Sequence, residues 1–430
     1  MKQSTRQHSG YTIPILTMFA LFFMISFVTG LQNPMAIIVK SQFEASNFMS
    51  QLGNAANFIA YAFMGIPAGL LLQKIGYKRT ALIAVVVGFG GVGIQYLSGV
   101  LGSFGIYLSG AFISGFSMCM LNTVVNPMLN TLGGGGKKGN QLIQLGSSVN
   151  SIGATIAPVL VGYLIGNTAQ ATISNASPAL FLAMGIFVIA FIILKAVNIP
   201  EPHLATKEVT TEKDKYSVFS FRHFILGAIA IFVYEGIEVG VANITNLYIT
   251  DDISEGGLGI DSIVAGSIIG TYWFLMLIGR LVGASLGAKI SSRKMLSFVS
   301  VLGVCFVLLA IHLPQSVQIN LPVFQSDISF GFVEIPINIM FLVLCGFCTS
   351  VMWGNIFNLA VEGLGKYTAA ASGVFMTMVC GGGILPLVQG HIADISSYVT
   401  SYYMTLLCFI YILFYALIGS KNANKDILAD

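Results

Sequence analysis

The chain has 430 residues, of which 55% are hydrophobic and only 9% are charged, and its formal net charge is +3. Soluble domains carry about 25% charged residues, so this composition excludes a soluble fold. The small net charge gives no reason to expect a nucleic-acid partner. Apolar blocks such as 82–101 and 402–419 hold almost no charge, and a helix needs about 20 apolar residues to cross a bilayer. The sequence predicts an all-α membrane protein.

Twelve apolar segments are long enough to be spans. In chain order they are 11–32, 48–72, 80–99, 103–131, 141–166, 178–198, 222–250, 261–288, 295–312, 334–361, 367–390 and 397–419. The stretch 313–333, between the ninth and tenth spans, has partly alternating apolar residues, which predicts an outer loop with a small β-hairpin.

Basic residues indicate which ends of the spans face the cytosol, because cytosolic loops are enriched in Lys and Arg. With both termini in the cytosol, nineteen of the 20 Lys and Arg residues fall on the cytosolic side, Arg280 included, and only Lys40 falls outside. The reverse orientation would invert this ratio. We therefore expect a multi-pass protein of the cytoplasmic (inner) membrane, surrounded by lipid, with both termini cytosolic.

The one long polar segment divides the chain into two similar halves. It predicts a cytosolic linker at 200–221 between an N-terminal six-helix bundle, 1–199, and a C-terminal six-helix bundle, 222–430. The fifth and eleventh spans repeat a proline followed four residues later by a glycine, namely Pro158 with Gly162 and Pro386 with Gly390. Two repeated halves are typical of transporters that hold substrate between them near mid-membrane.

Small residues near the end of a span precede a basic cytosolic turn in both halves. We predict gating turns where the second span ends, with Gly69, Gly76 and Arg79, and where the eighth span ends, with Gly279 and Arg280. Small residues allow helices to approach closely, which a carrier with moving bundles requires.

Two carboxyl groups, Glu235 and Glu238, fall well inside the seventh span. Their i, i+3 spacing places them near one helical face. A charge in hydrocarbon costs several kcal/mol, so each must be protonated, paired or exposed to a water-filled cavity. Both are candidates for proton coupling, and either one could instead be a structural partner between helices.

Amide side chains recur inside the spans, and they offer both donors and acceptors, which suits a neutral polyhydroxylated ligand. A single amide is more often a link between helices, but the whole set favours a polar cavity. Its members are Asn33, Gln51, Asn54, Asn57, Asn122, Asn126, Asn150, Asn243, Asn246, Asn355 and Asn358.

The sequence has no ATP-binding motif, metal-ligand cluster or nucleophile–base arrangement. The glycine run 133–136 precedes two lysines but lacks the strand and the Lys-Ser/Thr ending of a phosphate-binding loop. We expect no cofactor, no metal and no enzymatic activity. Transport would then run downhill or on an ion gradient.

Several segments distributed along the chain carry a family resemblance: YAFMGIPAGLLLQKIGYKR, LNTVVNPMLNTLG, SSVNSIGATIAP, FVYEGIEVG, LIGRLVGASL, NIFNLAVEGLG and MTMVCGGGILPLVQGHIAD. On these segments the chain resembles the major facilitator superfamily and, within it, the fucose–galactose–glucose permease family of sugar:proton symporters. The similarity runs nearly end to end. The resemblance implies two six-helix bundles, alternating access and hexose-like substrates.

The resemblance also marks site residues and departures from the family pattern. The family's glutamate in LETAANP falls on Asn122, and its aspartate in LND falls on Asn33. The asparagine of the fifth span is retained as Asn150, and the YVGxE motif supplies Glu238. The aspartate that normally follows the second span is absent. An amide can bind a hydroxyl but cannot titrate, so coupling runs through Glu238 or is absent.

These observations predict a secondary transporter that moves a monosaccharide such as fucose, glucose or galactose. We expect the protein itself to be a monomer. Open alternatives are an uncoupled facilitator or exporter of another small neutral solute, and a ligand-binding sensor derived from a transporter. The predicted sugar-binding residues are Asn33, Asn122, Asn126, Ser147, Asn150, Glu238 and Asn355.

Overall fold

A computed structural model describes residues 11–31, 35, 38–39, 42–43, 47–165, 172–201, 216–260, 262–324 and 329–422. Within these ranges, ten helices are long and apolar enough to cross a membrane. One of them, Asn47–Leu101, is 55 residues long and contains two spans. The helix Gly136–Ile165 supplies one more. The described helices therefore form the twelve spans that the sequence predicts.

We number the spans α1 to α12. Single helices form α1, Thr12–Gly30; α4, Phe104–Leu132; α5, Gly136–Ile165; α6, Ser177–Ala196; α7, Arg222–Thr250; α8, Ser262–Gly287; and α9, Ser292–His312. Spans α2 (47–75) and α3 (77–101) meet at Gly76, and α10 consists of Ile337–Thr349 and Met352–Ala360. Span α11 comprises Thr368–Thr377, Met378–Cys380 and Gly381–Ile395, and α12 is Tyr398–Phe414, extended by Tyr415–Gly419.

The junction between α2 and α3 depends on Gly76, whose φ of 85° lies in the left-handed region that favours glycine. The carboxylate of Glu201, just after α6, accepts the backbone N–H groups of Tyr77 and Lys78 at 2.7 and 2.8 Å. It therefore caps the start of α3 with a negative charge, where the helix dipole favours one. The chain turns at Gly76, and Arg79 is exposed beside this turn; the gating role of both residues stays a prediction.

The helices form two six-helix bundles, with α1–α6 in the N-terminal bundle and α7–α12 in the C-terminal bundle. Within the first, α1 packs on α5 and α4 packs on α2 and α3; within the second, α7 packs on α11 and α9 on α12. Two helix pairs, α2 with α11 and α5 with α8, make most of the contact between the bundles. The predicted linker 200–221 falls largely outside the described residues.

Several basic turns lie on one side of the molecule, which we call the basic face. Lys137 Nζ donates to the carbonyl of Lys289 at 3.1 Å, so the α4–α5 and α8–α9 turns are adjacent. Lys78 Nζ donates to the carbonyl of Val197 at 2.7 Å. His223 Nε2 lies 3.0 Å from the carbonyl oxygen of Glu362.

The predicted β-hairpin is present on the opposite side. Strand β1, Gln318–Phe324, pairs antiparallel with β2, Phe330–Pro336, so that Leu321 faces Val333. The backbone N–H of Phe324 donates to Thr271 Oγ1 at 2.8 Å, which fixes the hairpin against α8. The apolar alternation that predicted it corresponds to burial of Leu321 and Val323 against the helices.

Candidate functional site

A polar stripe on α5 faces the C-terminal bundle. Asn140, Gln144, Ser147 and Ser151 recur every three or four residues, which aligns them on one helical face. Asn140 Nδ2 donates to Asn355 Oδ1 at 3.0 Å, and Gln144 Nε2 donates to the carbonyl of Val351 at 3.0 Å. The stripe therefore joins α5 to α10 from the basic face inward.

Asn355, a predicted sugar ligand, is part of this contact. Its side chain is fully buried, and Nδ2 donates to the carbonyl of Val351 at 2.7 Å while Oδ1 accepts from Asn140. Both ends of the amide are engaged: Oδ1 accepts across the interface, and Nδ2 donates to a carbonyl of its own span. Asn358, one turn further on, donates to Ser292 Oγ at 2.9 Å and links two helices of its own bundle.

The helices α2 and α11 meet through glycines that lie nearer to the basic face. A Cβ at Gly69 would lie 2.8 Å from Gly373 Cα, and one at Gly373 would lie 2.6 Å from the carbonyl oxygen of Gly65. Ser372 Oγ also donates to the carbonyl of Thr123 on α4 at 3.2 Å. Gly69 therefore lies within α2, before the turn at Gly76, and makes a close contact with α11.

Deeper in the interface, an ion pair connects α7 and α8. Arg280 Nη2 donates to Glu238 Oε1 at 3.3 Å, and the side chains are only 11% and 14% exposed. Arg280 Nη1 reaches across to α5, where it donates to the carbonyl of Ser147 at 3.2 Å and to Ser151 Oγ at 2.7 Å. One guanidinium thus holds acceptors from both bundles.

This arrangement corrects the predicted gating turn at Gly279 and Arg280. Both residues lie inside α8, and the turn falls at 288–290 instead. Gly279 packs on α10, where a Cβ would lie 2.1 Å from Ser350 Oγ. The charge count places Arg280 on the cytosolic side, whereas the structure places it inside the span, where a charge requires a partner. Its carboxylate partner lies 42 residues earlier in the chain.

The second carboxyl group, Glu235, is more buried than Glu238, at 8% exposure. The Trp353 side chain lies beside it. Trp353 is itself held by stacking on Phe357 at 5.3 Å and by an edge contact with Phe375 at 5.7 Å between ring centroids. No ion pair to Glu235 is present among the described residues.

The glycine at position 236 of α7 explains why Glu238 points away from α11. A Cβ at Gly236 would lie 2.3 Å from Leu385 Cδ1, so α11 packs closely on that face. Glu238 is two residues further on, about 200° around the helix, and faces α8 instead. Tyr272 Oη donates to the Glu238 carbonyl at 3.0 Å and fixes α8 against this turn.

Three predicted sugar-binding amides of the N-terminal bundle lie on α4 and α5. Asn122 Nδ2 donates to Tyr61 Oη at 3.0 Å, and Asn126 Nδ2 donates to the carbonyl of Asn122 at 3.0 Å. The buried Asn126 Oδ1 has no hydrogen-bond partner among the residues that the structure describes. Asn150 Nδ2 donates to the carbonyl of Phe22 on α1 at 3.1 Å. Asn33 lies outside the described residues.

Sequence reasoning missed Ser151, Asn140 and Gln144, although their helical spacing was visible as a polar stripe in an otherwise apolar span. The resulting site is a polar interface between two bundles, built from amides, hydroxyls and one neutral ion pair. Among the described residues, no group of three or more His, Cys, Asp or Glu could hold a metal ion. Such an interface can bind a hydroxylated solute by hydrogen bonds.

Two six-helix bundles with a polar interface define a membrane transporter of the alternating-access type. Residues 18–387 match the family model of the Major Facilitator Superfamily, and the chain belongs to that family. It is a transporter rather than an enzyme.

Relatives align over nearly the whole chain. A glucose/galactose transporter of Brucella abortus is 30% identical over 97% of this chain and 96% of its own. A putative glucose/galactose transporter of Helicobacter pylori is 30% identical over 98% of this chain and 100% of its own. An L-fucose-proton symporter of Escherichia coli K12 is 23% identical over 97% of this chain and 96% of its own.

Solved structures share the fold. The crystal structure of the transporter FucP in the outward conformation superposes with a TM-score of 0.81 at 20% identity, covering 96% of this chain and all of that one. The proton:xylose symporter XylE, bound to 6-bromo-6-deoxy-D-glucose, gives a TM-score of 0.71 at 14% identity over 96% and 98% of the two chains.

Proposed function

We propose that the protein transports a monosaccharide of the glucose, galactose or fucose type across the cytoplasmic membrane by alternating access. The observation that carries this proposal is the interface between the bundles, which is lined by amides and hydroxyls. Such groups bind sugar hydroxyls as both donors and acceptors. The names of the relatives point to the same substrates. The site is built within one chain, so a monomer suffices.

The basic face is, in this proposal, the cytosolic one. It carries Lys78, Lys137, Lys289 and Arg293, as the positive-inside rule requires of cytosolic turns. The hydrogen bonds from Asn140 and Gln144 to α10 lie on the same side. The conformation is therefore closed towards the cytosol, and sugar would enter from the opposite side.

Proton coupling, in this proposal, runs through the Glu235–Glu238 pair. Asn122 and Asn33 cannot titrate, so these two carboxyl groups are the candidates on α7. Glu238 is engaged by Arg280 at 3.3 Å, whereas Glu235 is buried beside Trp353. An uncoupled facilitator is the second candidate function, and the amide at position 122 favours it.

Ligand binding and uptake test the proposal together. Purified protein should be stabilised against heat by D-glucose, D-galactose or L-fucose, but not by an amino acid such as L-alanine. Proteoliposomes loaded with the same sugar should exchange it for radiolabelled sugar. If no monosaccharide stabilised the protein while another solute did, the hexose assignment would be wrong.

A further inference from the structure

Arg280 is at the inner end of a series of contacts that begins at the basic face. From that face inward, α5 meets the C-terminal bundle through Lys137, Asn140, Gln144 and then Ser147 with Ser151. The outer contacts of the series join neutral groups or reach carbonyl oxygens. The innermost one is made by a guanidinium, and Ser151 and Glu238 lie near the middle of α5 and α7.

We propose that Arg280 is a sugar-binding residue of this transporter and that a bound hexose replaces Ser147 and Ser151 as acceptors for its guanidinium. This inference rests on the proposed function and names a specific donor for the sugar. The Arg280 guanidinium, together with Glu238, Ser147 and Ser151, is called the cross-bundle bridge.

The donor capacity of Arg280 supports the proposal. A guanidinium has five N–H groups. In the structure, Nη1 donates to the two serine acceptors and Nη2 to Glu238, while the buried Nε has no hydrogen-bond partner within the described part of the chain. A hexose offers ring and hydroxyl oxygens that can accept from the remaining N–H groups. Charge-assisted bonds of this kind are about twice as strong as those between neutral groups.

The position of the bridge supports the second part of the proposal. Opening at the basic face must separate α5 from α8, which breaks the bonds from Arg280 to Ser147 and Ser151. Without replacement acceptors, Glu238 would be the only partner left to the guanidinium. A charge with so few partners in a poorly solvated site is costly. A sugar bound at this level supplies such acceptors. Occupancy would therefore favour release of the bridge.

Three variants test the proposal by equilibrium binding of radiolabelled hexose. R280K keeps the charge but loses the fork of donors, and we expect about tenfold weaker binding. S151A removes an acceptor that competes with the sugar, and we expect binding about threefold tighter. R293K is the matched control, because Arg293 bonds to Ser420 within the C-terminal bundle at 3.2 Å, away from the interface; its affinity should equal that of the wild type.

Opposite changes in the first two variants distinguish a ligand from a structural residue. If Arg280 only held the bundles together, R280K and S151A would shift affinity in the same direction, and the proposal would be wrong. Unchanged affinity in R280K, with a folded protein, would also overturn it. Absence of hexose binding in the wild type would instead overturn the proposed function.

Discussion

The Glu238–Arg280 ion pair lies in a membrane span, where an isolated charge would cost several kcal/mol. Removing one partner of a buried pair leaves the other charge uncompensated, and this costs more than the pair itself contributes. Glu238 therefore has a structural requirement that Glu235, three residues earlier, does not share.

Replacing one carboxylate at a time should separate these roles. We expect E238Q to lose about 3 kcal/mol of stability, because Arg280 would be left without its carboxylate. E235Q should lose little by comparison. Thermal unfolding in detergent measures both. The double variant E238Q/R280Q should recover part of the loss, and a double variant less stable than E238Q would contradict the pairing.

Proton coupling gives a second test at this scale. If Glu235 carries the proton, E235Q should still exchange labelled hexose between two sugar-containing compartments but should not accumulate it when the pH outside proteoliposomes is lowered. The physical reason is that an amide cannot titrate. Accumulation that survives in both E235Q and E238Q would remove the pair from the coupling mechanism.

At the scale of helices, the glycines of α2 and α11 bring two backbones together. Gly65 and Gly69 meet Gly373 at distances that leave no space for a side chain. Small residues of this kind allow membrane helices to pack closely, since dispersion rather than a hydrophobic effect drives their association. The contact therefore depends on the absence of a Cβ.

A single added methyl group should disturb the contact between α2 and α11. In G373A, the new Cβ would lie 2.6 Å from the carbonyl oxygen of Gly65, so α2 and α11 must move apart. We expect uptake to fall about tenfold and thermal stability to decrease, as for an overpacked core. G185A is the matched control, because among the described residues no atom outside its own stretch of helix lies within 4 Å of a Cβ there. Equal uptake in the two variants would show that the close contact is not required.

For the whole molecule, transport requires that the basic face close and reopen. A Cβ at Gly287 on α8 would lie 3.5 Å from Gln141 Cβ on α5, which matches the spacing across a disulfide. These two positions belong to different bundles. They can therefore be used to hold the observed conformation.

The variant Q141C/G287C, in a chain whose six native cysteines are replaced, should form a disulfide when oxidised. We expect uptake to stop on oxidation and to return on reduction, because the bundles cannot part at the basic face while linked. Hexose binding to the oxidised protein in detergent should persist. Each single-cysteine variant is a control, and uptake by the oxidised double variant would contradict the closed assignment.

The sequence by itself determined the twelve spans, the hairpin and the turn at Gly76. Long apolar blocks, alternation and a glycine before two basic residues are local signals, and the bilayer restricts such blocks to helices. The stripe at Asn140, Gln144, Ser147 and Ser151 was also present in the sequence as helical spacing. The residues that contact this stripe could not be read from the sequence, because spacing within α5 does not reveal which helix packs on it.

Only the tertiary structure decided which polar residues meet across the interface. The charge count places Arg280 on the cytosolic side, and only the structure shows that its partner is Glu238, 42 residues earlier. Asn355 stays a predicted sugar ligand, and only the structure shows that its amide oxygen accepts from Asn140, 215 residues away. The burial of a charge or amide is tolerated when its partner is near in space, and distance along the chain carries no information about that partner.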